Sequence, residues 1–421
     1  MAKTAKSPAE LYQEREKRIR DTVNLREPDR VPVVMGGTLF AARYAGLQFA
    51  AAYYDAPAWK EAYKKTMLDF QPDAYGTAGG GDSGLALEAL DPKQTLWPGG
   101  PLPPDVPWQY IEAEYMKPDE YDLFLDDPSG YILCYYLPRV YGSLQPLAKL
   151  PPPRSLMGGI TGLATLLATP DFRKTARALL KAGQAQAKWR DLMGQFEDEM
   201  ADLGFPTVMQ RGGAGGAPFE TLSSRLRGMR GAMVDMYQRP DKVLAASEKM
   251  MKWQMTRNTP ADPKKRGNPK LGGGGGILRG ADGFMSKQQF EKFYWPFQKQ
   301  SILKTIELGY VAFVFCEGIC NERLEYFLEI PKGTMCIRFA ETDMARAKAV
   351  LGNHQCIMGA VPSSLLMTGS TQEVEEYVRK LIKTCAKGGG YIVRATTDSI
   401  EFHNPANLKA MIDATKKHGV Y

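Results

Sequence analysis

Long apolar runs are missing from this 421-residue chain. None approaches the roughly 20 residues a bilayer-spanning helix needs, and the polar start, Met1 to Lys6, leads into no apolar leader core. Cysteine is scarce. The six (Cys134, Cys316, Cys320, Cys336, Cys356, Cys385) lack the spacing of a disulfide framework, so a reduced, cytoplasmic setting is expected. Charge of one sign does not accumulate either: the net +7 is spread over 54 basic and 47 acidic residues, and only Pro263–Arg266 clusters. Without a basic stripe or an aromatic-basic module, nucleic acid is not an expected partner, and neither is a membrane. The mild positive charge suits an anionic substrate or partner surface. The glycine runs at 79–81, 212–216 and 272–276 have neither the spacing nor the strand-to-helix setting of a phosphate loop. They read as flexible or closely approached backbone.

What the chain does have is alternation. Amphipathic helical patterns precede short apolar runs at Val311–Phe315, Met335–Phe339 and Gln355–Met358. Short buried strands alternating with helices indicate parallel β/α units, whose sites gather at the strand C-termini. Arg30–Met35 reads as a first strand and Thr207–Arg211 as a middle one. Residues 259–276 read as a loop entering a strand near Gly276–Arg279, and Gly390–Ala395 as the last strand. Helix starts are marked at Ser7–Glu10, Ser370–Glu373 and Asn404–Pro405. The fold class is α/β, a single (β/α)8 TIM barrel spanning 1–421 with an N-terminal extension. Residues 72–153, rich in Gly, Pro and aromatics with little periodicity, read as a lid-like insertion over the barrel mouth.

Residues able to do chemistry fall at the strand ends. Cys316 and Glu317 close one apolar run, and because adjacent strand residues point to opposite faces, only one of them can face the axis. Glu317 is preferred, since a buried carboxylate needs a cation; the plainer alternative is a pairing with Arg323 or Arg338. Glu341 ends the next strand. Asp343 precedes the helix Met344–Leu351, where an N-cap role alone would explain it. Asp398 follows the last strand, and His403 lies in the loop beyond it as a candidate ligand or general acid. His354 and His418 read as structural and solvated. Cys320, Cys336, Cys356 and Cys385 read as packing. Arg43 and Arg211 are the candidate anion binders.

Glu27–Pro32, Phe290–Pro296, Lys332–Gly333, Phe339–Asp343, Gly359–Pro362 and Asn407–Met411 together resemble the uroporphyrinogen decarboxylase superfamily, which includes porphyrinogen decarboxylases and cobalamin-linked methyltransferases. Gln109–Pro128 looks like the uncharacterised or methyltransferase-like branch. The resemblance implies a TIM barrel with its site at the strand C-termini. The decarboxylases hold their substrate with an arginine-rich N-terminal loop; here the corresponding Met35–Tyr44 keeps only Arg43, which disfavours porphyrinogen decarboxylation. The methyltransferases bind zinc through a His-x-Cys pair and a later Cys. Matched on Gly318 and Pro405, those positions carry Phe315, Glu317 and Asp398, with Cys316 one residue out of register. Carboxylate ligands would leave zinc more Lewis-acidic, suiting an oxygen-bound methyl donor. The resemblance thus implies a corrinoid-dependent methyltransferase served by a separate corrinoid protein, acting on a small-molecule methyl donor such as an O-methyl ether. Glu317, Glu341 and Asp398 would be catalytic, Arg43, Arg211 and Asp343 would bind substrate, and Glu317, His403, Asp398 and Cys316 would be the metal donors. A homodimer is the candidate assembly. The alternatives are a cofactor-independent decarboxylase and a tetrapyrrole- or corrinoid-binding protein with a degenerate site.

Overall fold

A computed structural model of the chain describes residues 6–37, 39–76, 81–209, 212–256, 259–262, 264 and 271–421. Its strands are β1 (Val34–Met35), β2 (Ala74–Tyr75), β3 (Thr95–Leu96), β4 (Gln109–Tyr110), β5 (Leu271–Ile277), β6 (Val311–Cys316), β7 (Met335–Phe339), β8 (Cys356–Met358) and β9 (Tyr391–Ile392). β5 to β9 form one parallel sheet in chain order, and β1 pairs with β2 in parallel. Isolated parallel bridges join Val33 to Val393, Tyr75 to Thr207 and Met209 to Leu271. The four expected strands around residues 311, 335, 356 and 391 are therefore adjacent and parallel, as their alternation with helices requires.

Each strand has two faces with different partners. Ala312, Val314, Cys316, Ile337, Phe339 and Ile357 belong to the large core shared with the helices. Val34, Ala74, Leu271, Cys336, Met358 and Ile392 belong to a smaller inner cluster, which Ile19 and Val23 of the first helix close at the N-terminal end. That helix, Pro8–Val23, starts at the expected Ser7–Glu10 capping box. Its Arg18 and the loop residue Arg30 both bind Asp73, which is 1% exposed and also accepts from the Val33 N–H. Glu27 accepts from the Gly388 N–H. The Glu27–Pro32 motif is thus a structural staple beneath the sheet, remote from the strand C-termini.

Two expectations needed revising. The glycine run at 272–276 is itself β5 and not a loop before it. A Cβ at Gly272 would lie 2.5 Å from the Tyr310 ring and one at Gly275, with φ +90°, would lie 2.2 Å from Gly216 Cα. Glycine is used because neighbouring chain presses too close for side chains. Likewise, Ala74–Tyr75 is a sheet strand, so residues 72–76 are part of the scaffold. Beyond it, β3 and β4 pair antiparallel. Glu112 bonds Arg279, just past β5, at 2.8 Å and accepts from the Met229 N–H at 2.7 Å.

Candidate functional site

The strand ends concentrate three charged side chains. Arg338 lies on the inner face of β7, beside Phe315 in register, with its guanidinium 4.6 Å from that ring's centre. Arg394 follows β9 with the same parity. Both are 2% exposed, and both bind Asp398. Arg338 Nη1 donates to Oδ2 at 2.5 Å and Arg394 Nη2 donates to Oδ1 at 2.5 Å. Arg338 Nη2 also donates to the Ala395 carbonyl. Room for the cluster comes from two glycines at the ends of β1 and β2. A Cβ at Gly36 would stand 2.1 Å from Asp398 Oδ1, and one at Gly76 would stand 2.5 Å from Arg394 Nη2.

Electrostatics follow from that packing. Burial works against the Asp398 anion, but Arg394 and Arg338 outweigh it and hold its carboxyl down at about 2. Burial, assisted by neighbouring Arg394, lowers Arg338 to about 10. Asp398 is therefore an anion at neutral pH, with each oxygen engaged by a guanidinium.

A second carboxylate stands at the end of β5. Glu220 Oε1 accepts from the N–H groups of Leu278 and Arg279, each at 2.8 Å, and lies 2.6 Å from the Tyr294 hydroxyl. Although the residue is partly exposed, its Oε2 is shut off from solvent and has no hydrogen-bond partner among the described residues. Burial raises the Glu220 carboxyl above its ordinary range despite these bonds. Tyr294 belongs to the Phe290–Pro296 block, which forms one turn of π-helix here.

The expected donors do not converge. Glu317 is exposed at the end of β6, on the face of Phe313 and Phe315, where its charge reaches Arg338. Cys316 points the other way, into the helical core beside Cys320, and burial holds its thiol well above the usual range. His403 is 1% exposed, and neither ring nitrogen has a partner among the described residues. Burial drops it to about 4. Glu341 and Asp343 line a cavity of about 550 Å³ with Ser363, Lys380 and Thr396, away from Asp398. Asp343 caps its helix by accepting from the Ala345 and Arg346 N–H groups, at 2.8 and 3.2 Å. Arg43 is exposed, donating to the Glu401 carbonyl and lying over Phe402. Arg211 lies outside the described residues.

The zinc set read from the sequence therefore does not fit. Cys316 faces the wrong side of its strand, and Asp398 already has two guanidinium partners. Among the described residues, no group of three or more His, Cys, Asp or Glu side chains is placed to hold a metal ion. Glu220, Arg338 and Arg394 are the side chains that the sequence reading did not assign to the site. An arginine inside each of the buried runs Met335–Phe339 and Tyr391–Ala395 was the available signal, because a strand with no exposed face admits a charge only when something pairs it.

Residues 277–418 match the family model of uroporphyrinogen decarboxylase (URO-D). This segment is URO-D-like. It contains Cys316, Glu317, Arg338, Glu341, Arg394 and Asp398. Among solved structures, a methyltransferase from Methanosarcina mazei matches with a TM-score of 0.57 at 12% identity, covering 96% of this chain and 98% of that one. The chain thus shares that protein's α/β fold over nearly its whole length. No curated protein matches. Among the described residues, no helix is long and apolar enough to cross a membrane.

Proposed function

We propose that this URO-D-like chain is a methyltransferase that takes a methyl group from a small-molecule donor, an O-methyl ether being the best fit, and passes it to a corrinoid carried by a partner protein. The observation that carries this reading is the fold likeness to the Methanosarcina mazei methyltransferase across both full lengths. In this reading the parallel segments close into an eight-stranded barrel, and residues from 81 to about 153 cover its mouth. The Glu112–Arg279 contact at the end of β5 supports that cover. The corrinoid would supply the nucleophile that accepts the methyl group.

The chain's own groups would manage the leaving oxygen and exclude water. When an ether loses its methyl group, the departing oxygen gains negative charge and leaves more readily if it is protonated. Glu220 is suited to this, with a carboxyl shifted upward by burial and one oxygen without a partner among the described residues. Its Oε2, shut off from solvent until substrate uncovers it, would hold the proton, and Tyr294 and the two backbone N–H groups would fix its orientation. Glu317 is the carboxylate left to face substrate at the mouth, while Asp398 orders the two arginines. Zinc has no place in the scheme, since its proposed donors are dispersed.

One observation favours a second reading, a cofactor-independent carboxy-lyase: Arg338 and Arg394 supply buried guanidinium groups that the arginine-poor Met35–Tyr44 loop lacks. A single experiment separates the two. Purified protein is mixed with cob(I)alamin and a panel of methoxylated aromatic compounds and acids, and both the cob(I)alamin-to-methylcobalamin spectral change and CO2 release are followed. Methylcobalamin formation that depends on the protein supports methyl transfer. CO2 release without it replaces that reading with the lyase.

A further inference from the structure

Two guanidinium groups and one carboxylate are buried together at the ends of β7 and β9, and their hydrogen bonds do not balance. Arg338 Nη1 and Nη2 and Arg394 Nη2 have oxygen acceptors. Among the described residues, Arg394 Nη1 meets only the Met358 sulfur, at 3.7 Å. The Nε of both arginines is buried without an acceptor among the described residues. Glu317, whose field also reaches Arg338, is exposed and shares its charge with water, and Glu401, buried within the field of Asp398, is pushed toward its neutral form by that burial. The cluster therefore holds one more buried positive charge than its carboxylate offsets. A cation taken out of water without an anion is costly, and unmade bonds from a buried guanidinium add to that cost.

Gly36 and Gly76 make room for the cluster itself, since a Cβ at either would strike Asp398 or Arg394. On the same inner face, Phe313 and Phe315 are half-buried and offer apolar surface. We propose that Arg394 and Arg338 form the subsite for a carboxylate carried by the substrate, with Asp398 aligning the two guanidinium groups. The substrate is then an organic acid, aromatic in the part that meets Phe313 and Phe315. This rests on placing the active site at the strand C-termini, and it holds whether the reaction is methyl transfer or decarboxylation.

Binding, not turnover, tests it, so a failure of the catalytic assay and a failure here are distinguishable. The full-length protein is titrated calorimetrically at neutral pH with benzoate, its neutral isostere benzamide, and phenyl phosphate. Benzoate is expected to bind saturably and at least tenfold more tightly than either of the others. Arg394→Met should weaken benzoate at least tenfold, while Arg379→Met, on an exposed helix face and paired with Glu376, leaves it unchanged. Arg394→Lys, which keeps the charge but loses the fork, should retain a reduced preference for benzoate over benzamide. Equal binding of benzoate and benzamide by the unmodified protein overturns the subsite, whatever the variants do. Benzoate affinity unchanged in folded Arg394→Met also overturns it, and tighter binding of phenyl phosphate overturns the carboxylate assignment.

Discussion

Replacing His403 by leucine should flatten part of the protein's acid sensitivity, and the size of the effect can be worked out from burial. His403 is 1% exposed, and its ring makes no hydrogen bond among the described residues, so leucine removes no polar contact. Its titration is moved from 6.5 to about 4, which corresponds to about 3 kcal/mol against protonating it in the folded chain, at ~1.4 kcal/mol per pH unit. Above pH 6.5 the ring is neutral in both folded and unfolded states and contributes no pH dependence. Between 6.5 and 4 the unfolded chain takes up the proton while the native one does not, so stability falls as pH falls. At pH 5 about 2 kcal/mol of the total is expressed. Glu401, nearby in the chain and also buried, is present in both proteins, so its own titration cancels in the comparison. Urea unfolding at pH 7 and pH 5 measures the difference directly. The native sequence should lose about 2 kcal/mol more than His403→Leu between those conditions. Equal losses in the two proteins would refute the buried, neutral placement of the ring.

Four other substitutions probe the site and its frame. Glu220→Gln keeps the shape but removes the proton, and should lower turnover of an O-methyl donor about 100-fold; undiminished turnover would remove Glu220 from the chemistry. Glu317→Gln should cost at least about tenfold in turnover, and a near-normal rate would leave that carboxylate a solvated surface group. Gly76→Ala forces a Cβ to within 2.5 Å of Arg394 Nη2, so chemical denaturation should report a loss of roughly 1–3 kcal/mol. A neutral result would mean the Arg394 arm lies elsewhere. Asp73→Asn breaks the staple to Arg18 and Arg30 and should cost about 3 kcal/mol of stability; any benzoate affinity of the native protein should survive the change, because the staple sits at the opposite end of the strands.

The sequence alone was enough for the parallel β/α layout, because local signals carry it. Capping boxes at Ser7 and Ser370 and the apolar runs around 311, 335 and 356 are patterns within a few residues, and each element formed where its own pattern placed it. Strand alternation also indicated that only one of Cys316 and Glu317 could face the axis, although both stood among the expected metal donors. The glycine run was misread because nothing local says that Tyr310 and Gly216 crowd it into a strand. Which carboxylate binds what was likewise decided only in three dimensions. Asp398 meets Arg338 across 60 residues and Glu220 meets Tyr294 across 74. Glu341 ended in a cavity that Asp398 does not line, although both follow neighbouring parts of one sheet. A charged side chain's partner is set by whichever opposite charge or donor the folded backbone brings within about 3 Å, and that distance depends on strand register and on glycines such as Gly36 and Gly76, which leave the space open.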